Sequence, residues 1–220
     1  MRKIYLIVLA VFAIGIIVVG ILIFQKSTNQ AKQNQQQSQQ PVVTDNNPSE
    51  SDKKVDIPLV RARERVTKKP FGIKISPENS PVQPERFLGY HTGVDYEIFS
   101  GEENTDIQVF AICSGNLAAK RTISEYGGVL VQECNLENQA VTIIYGHIKL
   151  ASAKQKVGDY ITKGETLAIL GNGYSTETDG ERKHLHLGIH KGSGIILFGY
   201  VQSQADLANW IDFEAHLKSN

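Results

Sequence analysis

Residues 184–190 read His184-Leu185-His186-Leu187-Gly188-Ile189-His190. Side chains along a strand alternate between its two faces. As a strand, this run puts His184 and His186 on one face and Leu185, Leu187 and Ile189 on the other. One face suits a core and the other suits polar chemistry. Working outward, short apolar runs rich in β-branched residues and closed by Gly, Asn, Asp or Ser recur from about Pro58 onward. They fall at 107–113, 117–123, 129–134, 141–148, 160–162, 166–170 and 184–190. Only 205–210 reads as helical. Many short strands at close spacing predict a mostly β domain, an antiparallel sandwich or barrel-like fold.

Upstream of this domain the chain changes character twice. Residues 4–24 are apolar and uncharged over 21 positions, the length a helix needs to span a bilayer. Phe24, Gln25 and Lys26 follow in place of a small-residue cleavage site, so the segment reads as a retained single-pass anchor and not as a signal peptide. Residues 25–57 are rich in Gln, Asn, Ser, Lys and Asp and too poor in apolar side chains to repay ordering. They form a polar linker with a coil span on the order of 30 Å. The expected organisation is a cytoplasmic tip at 1–3, a transmembrane helix at 4–24, the linker at 25–57 and an extracytoplasmic domain at 58–220. Lys plus Arg and Asp plus Glu both number 23, so the chain carries no basic footprint for nucleic acid.

Three separate pieces carry chemistry. His184 and His186 share a strand face. His91 and Asp95 lie four residues apart in His91-Thr92-Gly93-Val94-Asp95; the β-branched Thr92 and Val94 argue against a helix, and Gly93 reads as the residue that lets a loop turn into a strand. His147 ends the apolar run 141–147. Singly, each piece is also what an exposed or structural histidine looks like.

Taken together and in order, the pieces resemble the lysostaphin-type zinc metallopeptidases, which act on peptidoglycan. The resemblance covers roughly 68–213. It rests on GYHTGVDYEI (89–98), IIYGHIKL (143–150), KVGDYITKGETLAILGNG (156–173, the family's glycine-bearing hairpin) and HLHLGIH (184–190). It implies a duplicated hybrid motif fold and one zinc ion per chain held by His91, Asp95 and His186. His147 and His184 are then the catalytic pair, either able to serve as base or as oxyanion donor. The implied substrate is the peptide part of peptidoglycan, met by a monomer at the cell membrane. No His-Glu-x-x-His helix motif occurs, which excludes thermolysin-type chemistry.

The chain departs from the family pattern at Gly188, where Glu is common, and in the long charged loop 174–183. Neither departure is expected to touch the ligand set. His190 and His216 read as solvated. Cys113 and Cys134 are compatible with a disulfide in an oxidising compartment or with buried thiols. A non-catalytic member of the family would have lost ligands, whereas all five positions are filled here. The stretch 156–171 also looks like the hairpin of biotinyl and lipoyl carriers, but the carrier's modified lysine turn is missing. A phosphotransfer domain gives no reason for Asp95 at ligand spacing.

Overall fold

Alternation of side chains along 184–191 organises the molecule. The computed structural model describes residues 57–219; the expected membrane span and nearly all of the linker lie outside the described residues. Among the described residues no helix is long and apolar enough to cross a membrane. In chain order the strands are β1 (Lys74–Ile75), β2 (Gly89–His91), β3 (Gly93–Glu97), β4 (Gln108–Phe110), β5 (Gly115–Ile123), β6 (Gly127–Leu136), β7 (Gln139–Gly146), β8 (Tyr160–Ile161), β9 (Thr166–Ile169), β10 (His184–Lys191) and β11 (Tyr200–Val201). Two short helices, α1 (Ala62–Arg65) and α2 (Phe213–Ser219), flank them.

All strand pairs are antiparallel. A six-stranded sheet runs β3-β10-β7-β6-β5-β8, a three-stranded one β1-β2-β11, and β4 pairs with β9. The mostly β, antiparallel character predicted from the strand pattern is what the chain adopts. The expected hairpin across 156–173 is a turn whose arms do not pair with each other. β8 pairs with β5 and β9 with β4, while the Glu165 N–H donates to the Thr162 carbonyl at 2.9 Å to close the turn.

Period-2 alternation decides which side chains meet. Val94 and Tyr96 of β3, Leu185, Leu187 and Ile189 of β10, and Val141, Ile143 and Tyr145 of β7 point to one side and form a single core with Leu117 and Leu130. Each fully buried aliphatic side chain contributes about 1.5–3 kcal/mol. On the opposite face a smaller cluster of Ala119, Tyr126, Val129, Val131, Ile144 and Trp210 covers the sheet. Both faces of β10 are therefore buried, and His184 and His186 are covered rather than solvated.

The helical reading of 205–210 is met by a short 3-10 helix over Gln204–Asn209. The Ser203 hydroxyl accepts from the Ala205 N–H at 3.2 Å to start it, and Trp210, drawn into the second cluster, bridges β10 at His190 and ends it. His190 is half-buried, its ring packing edge-on to Trp210 at 4.9 Å. His216 stacks on Phe213 and faces Glu137 at 3.9 Å.

Cys113 and Cys134 form a disulfide joining the entry of β5 to β6, with Cα atoms 6.4 Å apart. Closing a loop of sequence separation 21 restricts the unfolded chain, an effect of about 3 kcal/mol. Replacing both cysteines with alanine should lower the unfolding free energy by about that amount in a urea titration. An unchanged midpoint and slope would show that the bridge adds nothing to the fold.

Candidate metal and catalytic site

The registers of the six-stranded sheet bring the separate sequence pieces together. On β3, Asp95 and Glu97 are two residues apart and share a face; on β10, His184 and His186 do the same. The antiparallel pairing sets His186 opposite Asp95, and His184 opposite Glu97. On the other side of β10, His186 is paired with Gly146, the last residue of β7, so His147 emerges beside it. His91 ends β2, and Thr92 is the only residue between it and β3.

Gly93 does a different job from the one expected of a turn residue. It opens β3, where the loop was expected to enter a strand, and a Cβ there would sit 2.6 Å from the Leu187 carbonyl oxygen and 2.7 Å from the His186 ring. Glycine is required because the Leu187 carbonyl and the His186 ring approach this position too closely for a side chain. Gly146 is constrained in the same way, since its Cβ would come 2.7 Å from the Tyr126 ring. His147 has φ 61°, a left-handed conformation unusual for a residue with a side chain. Its N–H donates to the Tyr126 carbonyl at 3.1 Å, and its own carbonyl accepts from the Gly171 N–H at 2.8 Å. Backbone bonds on both sides hold the strained residue in place.

Three heteroatoms converge. His186 Nδ1 is 3.1 Å from His91 Nε2 and 3.1 Å from Asp95 Oδ1, and His91 Nε2 is 3.3 Å from Asp95 Oδ1. All three residues are buried. His91 Nδ1 faces the Pro70 carbonyl at 3.2 Å, an acceptor, which fixes the proton on Nδ1 and leaves Nε2 with its lone pair. His186 Nδ1 thus lies between two acceptors and can donate to only one of them. A cation satisfies all three. A tetrahedral zinc with bonds of about 2.0–2.1 Å separates its ligand atoms by about 3.3 Å, the size of this triangle. The residues present fit the metal.

Burial pushes the His186 imidazole down to about 4, against the raising effect of Asp95. His147 lies well below its ordinary value, first through burial and then through neighbouring His184. Both rings are neutral, as a metal ligand or a base requires. Burial acts to raise the Asp95 carboxyl, but His184, His91 and hydrogen bonds from His184 and His186 outweigh it and hold the group well below the carboxylate range.

The candidate pair sits against this triangle. The His147 and His184 ring centroids are 4.3 Å apart. His184 Nδ1 donates to the Arg182 carbonyl at 2.9 Å, and its Nε2 lies 3.3 Å from Asp95 Oδ2. His147 Nδ1 is buried without a hydrogen-bond partner. The cavity bounded by these groups is about 30 Å³, the scale of a water molecule or two. Two larger cavities, about 570 and 330 Å³, border it and share Arg182 in their walls.

All five residues picked out by the sequence thus lie in one place. Several others at the site had not been singled out. Tyr126 packs on His186 and His147 with centroids 5.3 and 6.1 Å away, and Lys69 and Tyr200 line the same cavity. Contrary to expectation, the charged loop 174–183 does touch the ligand set, since Arg182 Nη2 donates to Asp95 Oδ2 at 2.8 Å. Arg182 and Glu97 stand two residues from His184 and Asp95, the period that places strand side chains on one face. For Glu97, within β3, that spacing is a signal that could have found it; Arg182 precedes β10 and carries no such signal.

The antiparallel β domain thus carries a buried two-histidine, one-carboxylate triangle that could hold a metal ion, beside two further histidines. Residues 89–196 match the sequence model of peptidase family M23. A curated relative, the endolysin of Staphylococcus phage 2638A, is 27% identical over 141 residues, covering 59% of this chain; the match spans 28% of the relative's own length. Among solved structures, the catalytic domain of the antimicrobial peptidase lysostaphin from Staphylococcus simulans is 20% identical, with a TM-score of 0.45 over 71% of this chain and 97% of that one. LytU is 22% identical, with a TM-score of 0.44 over 70% and 85%.

Proposed function

We propose that this protein is a zinc-dependent endopeptidase that hydrolyses cross-links or stem peptides of bacterial peptidoglycan. The observation that carries this reading is the convergence of His91 Nε2, Asp95 Oδ1 and His186 Nδ1 within 3.1–3.3 Å of one another. The match to a peptidase family and likeness to a phage endolysin support the substrate class. Three protein ligands with one position left over is the count of a catalytic rather than a structural zinc site. Bound zinc supplies Lewis-acid polarisation of the scissile carbonyl and an acidified water.

The chain's own residues do the rest. Asp95 offsets part of the metal's charge. His184 accepts a proton at Nε2, because its Nδ1 proton is committed to the Arg182 carbonyl. His147, neutral and in contact with His184, is placed to donate to a developing oxyanion or a leaving amine, and the two histidines can exchange these roles. The Tyr126 ring over Gly146 walls the site on one side and keeps bulk water from the imidazoles.

In the same reading the fold is of the duplicated hybrid motif type, residues 4–24 anchor the chain in the cell membrane, and 25–57 tether the domain outside as a monomer. Incubating purified protein with peptidoglycan sacculi should release muropeptides, cease after chelation and resume on adding zinc. Absence of release from zinc-loaded protein would sink the reading. Protease added to intact spheroplasts should degrade the domain while a cytoplasmic control survives; survival of both would invert the topology.

A further inference from the structure

Asp95 has two carboxylate oxygens with different company. Oδ1 belongs to the ligand triangle. Oδ2 accepts from Arg182 Nη2 at 2.8 Å. Arg182 is itself gripped by Glu97: its Nε donates to Oε2 at 2.9 Å and Oε1 at 3.0 Å, and Nη2 donates to Oε1. Arg182 and Glu97 are 7% and 6% exposed, so this is a buried, multiply bonded arrangement and not a surface ion pair. Glu97 faces the same side of β3 as Asp95 and lies opposite His184 in the register. The arginine's carbonyl also holds His184 Nδ1.

A carboxylate's terminal torsion is broad and roughly two-fold, so nothing within Asp95 itself keeps one oxygen in the triangle and turns the other away. A planar guanidinium with several donors in a fixed fork can do so when its far edge is fastened. We propose that Arg182, fastened by Glu97, is a positioning residue that holds Asp95 as a one-oxygen metal ligand. The inference rests on the metal-site reading above and adds to it a device supplied by the charged loop 174–183.

Charge gives the proposal its test. Asp95, Arg182 and Glu97 together carry one net negative charge. Removing the arginine's cation from beside a divalent ion would, through charge alone, tighten metal binding. Loss of orientation acts in the opposite direction. Outer residues that orient metal ligands are typically worth 10–100-fold in affinity.

Zinc affinity of the full-length chain in detergent should therefore be measured by competition with a chromogenic chelator for wild type, Arg182→Gln and Arg182→Lys. The thermal unfolding of each zinc-free protein is recorded alongside. Arg182→Gln is expected to bind zinc 10–100-fold more weakly. Arg182→Lys, which keeps the cation but lacks the fork, is expected to recover part of that loss. An ion pair that only braces the fold would lower the zinc-free unfolding temperature and leave affinity unchanged; that result, or tighter binding by Arg182→Gln, overturns the proposal. Should Arg182→Gln fail to fold, Arg182→Lys decides, with at least threefold weakening supporting the proposal and wild-type affinity overturning it. Wild-type protein that binds no zinc would instead remove the metal-site reading itself.

Discussion

Removing the imidazole of His147 or His184 is expected to lower the rate of peptidoglycan hydrolysis by about a hundredfold or more while zinc content stays near one per chain. The separation follows from geometry. His91, Asp95 and His186 supply the converging atoms, whereas His184 Nε2 approaches the outer oxygen of Asp95 and His147 contacts His184 through its ring. Neither belongs to the triangle. The choice of substitution matters at His147, whose φ of 61° penalises alanine. Asparagine tolerates that conformation, so His147→Asn separates loss of the imidazole from loss of the backbone. For His184, alanine removes both the basic nitrogen and the bond to the Arg182 carbonyl. The double variant should lose less than the product of the two single losses, since groups serving one transition state are not additive. Zinc-loaded single variants with full activity would remove His147 and His184 from the catalytic machinery.

What the sequence disclosed, and what it did not, follows from the range over which each signal acts. Five strands of the six-stranded sheet, β5, β6, β7, β8 and β10, were legible because they announce themselves locally, by alternation along 184–190 and by β-branched runs closed by turn residues, whereas β3 was read only as a loop entering a strand. Strands of two or three residues, such as β1, β2 and β11, carry too few positions to show a period, and α1 has four residues. The helical reading of 205–210 was met by a 3-10 helix at 204–209, whereas α2 at Phe213–Ser219 was not picked out. The ligands were legible through their order along the chain. Their convergence depends on register, which couples Asp95 to a residue 91 positions away. Gly93 was misread for a related reason: its constraint comes from a ring on another strand and not from its own torsions. Arg182 shows the same limit, because a charged loop reads as solvated until the sheet places Glu97 and Asp95 beneath it.

Loss of any one ligand should abolish stoichiometric zinc, and with it the stabilisation that zinc confers. Wild-type protein with free zinc at a thousandfold excess over the dissociation constant gains about 4 kcal/mol from binding alone. Its unfolding temperature should therefore climb with zinc concentration. His91→Ala and His186→Ala each remove one of three donors and should show no such climb. Asp95 needs a different substitution, because alanine would strip Arg182 of an acceptor held at 2.8 Å inside the protein. Glu97 would still hold the guanidinium, but leaving one buried donor without an acceptor costs about 1–3 kcal/mol and would confuse loss of metal with loss of fold. Asp95→Asn keeps an oxygen for Arg182 and removes the anionic donor, so its zinc-free stability should stay closer to wild type than that of Asp95→Ala. The sharpest single measurement is zinc content after gel filtration of His186→Ala. His186 supplies the atom common to the two 3.1 Å contacts, with His91 and with Asp95. If one zinc per chain survives its removal, the metal is held elsewhere and the converging triangle is a hydrogen-bonded core cluster.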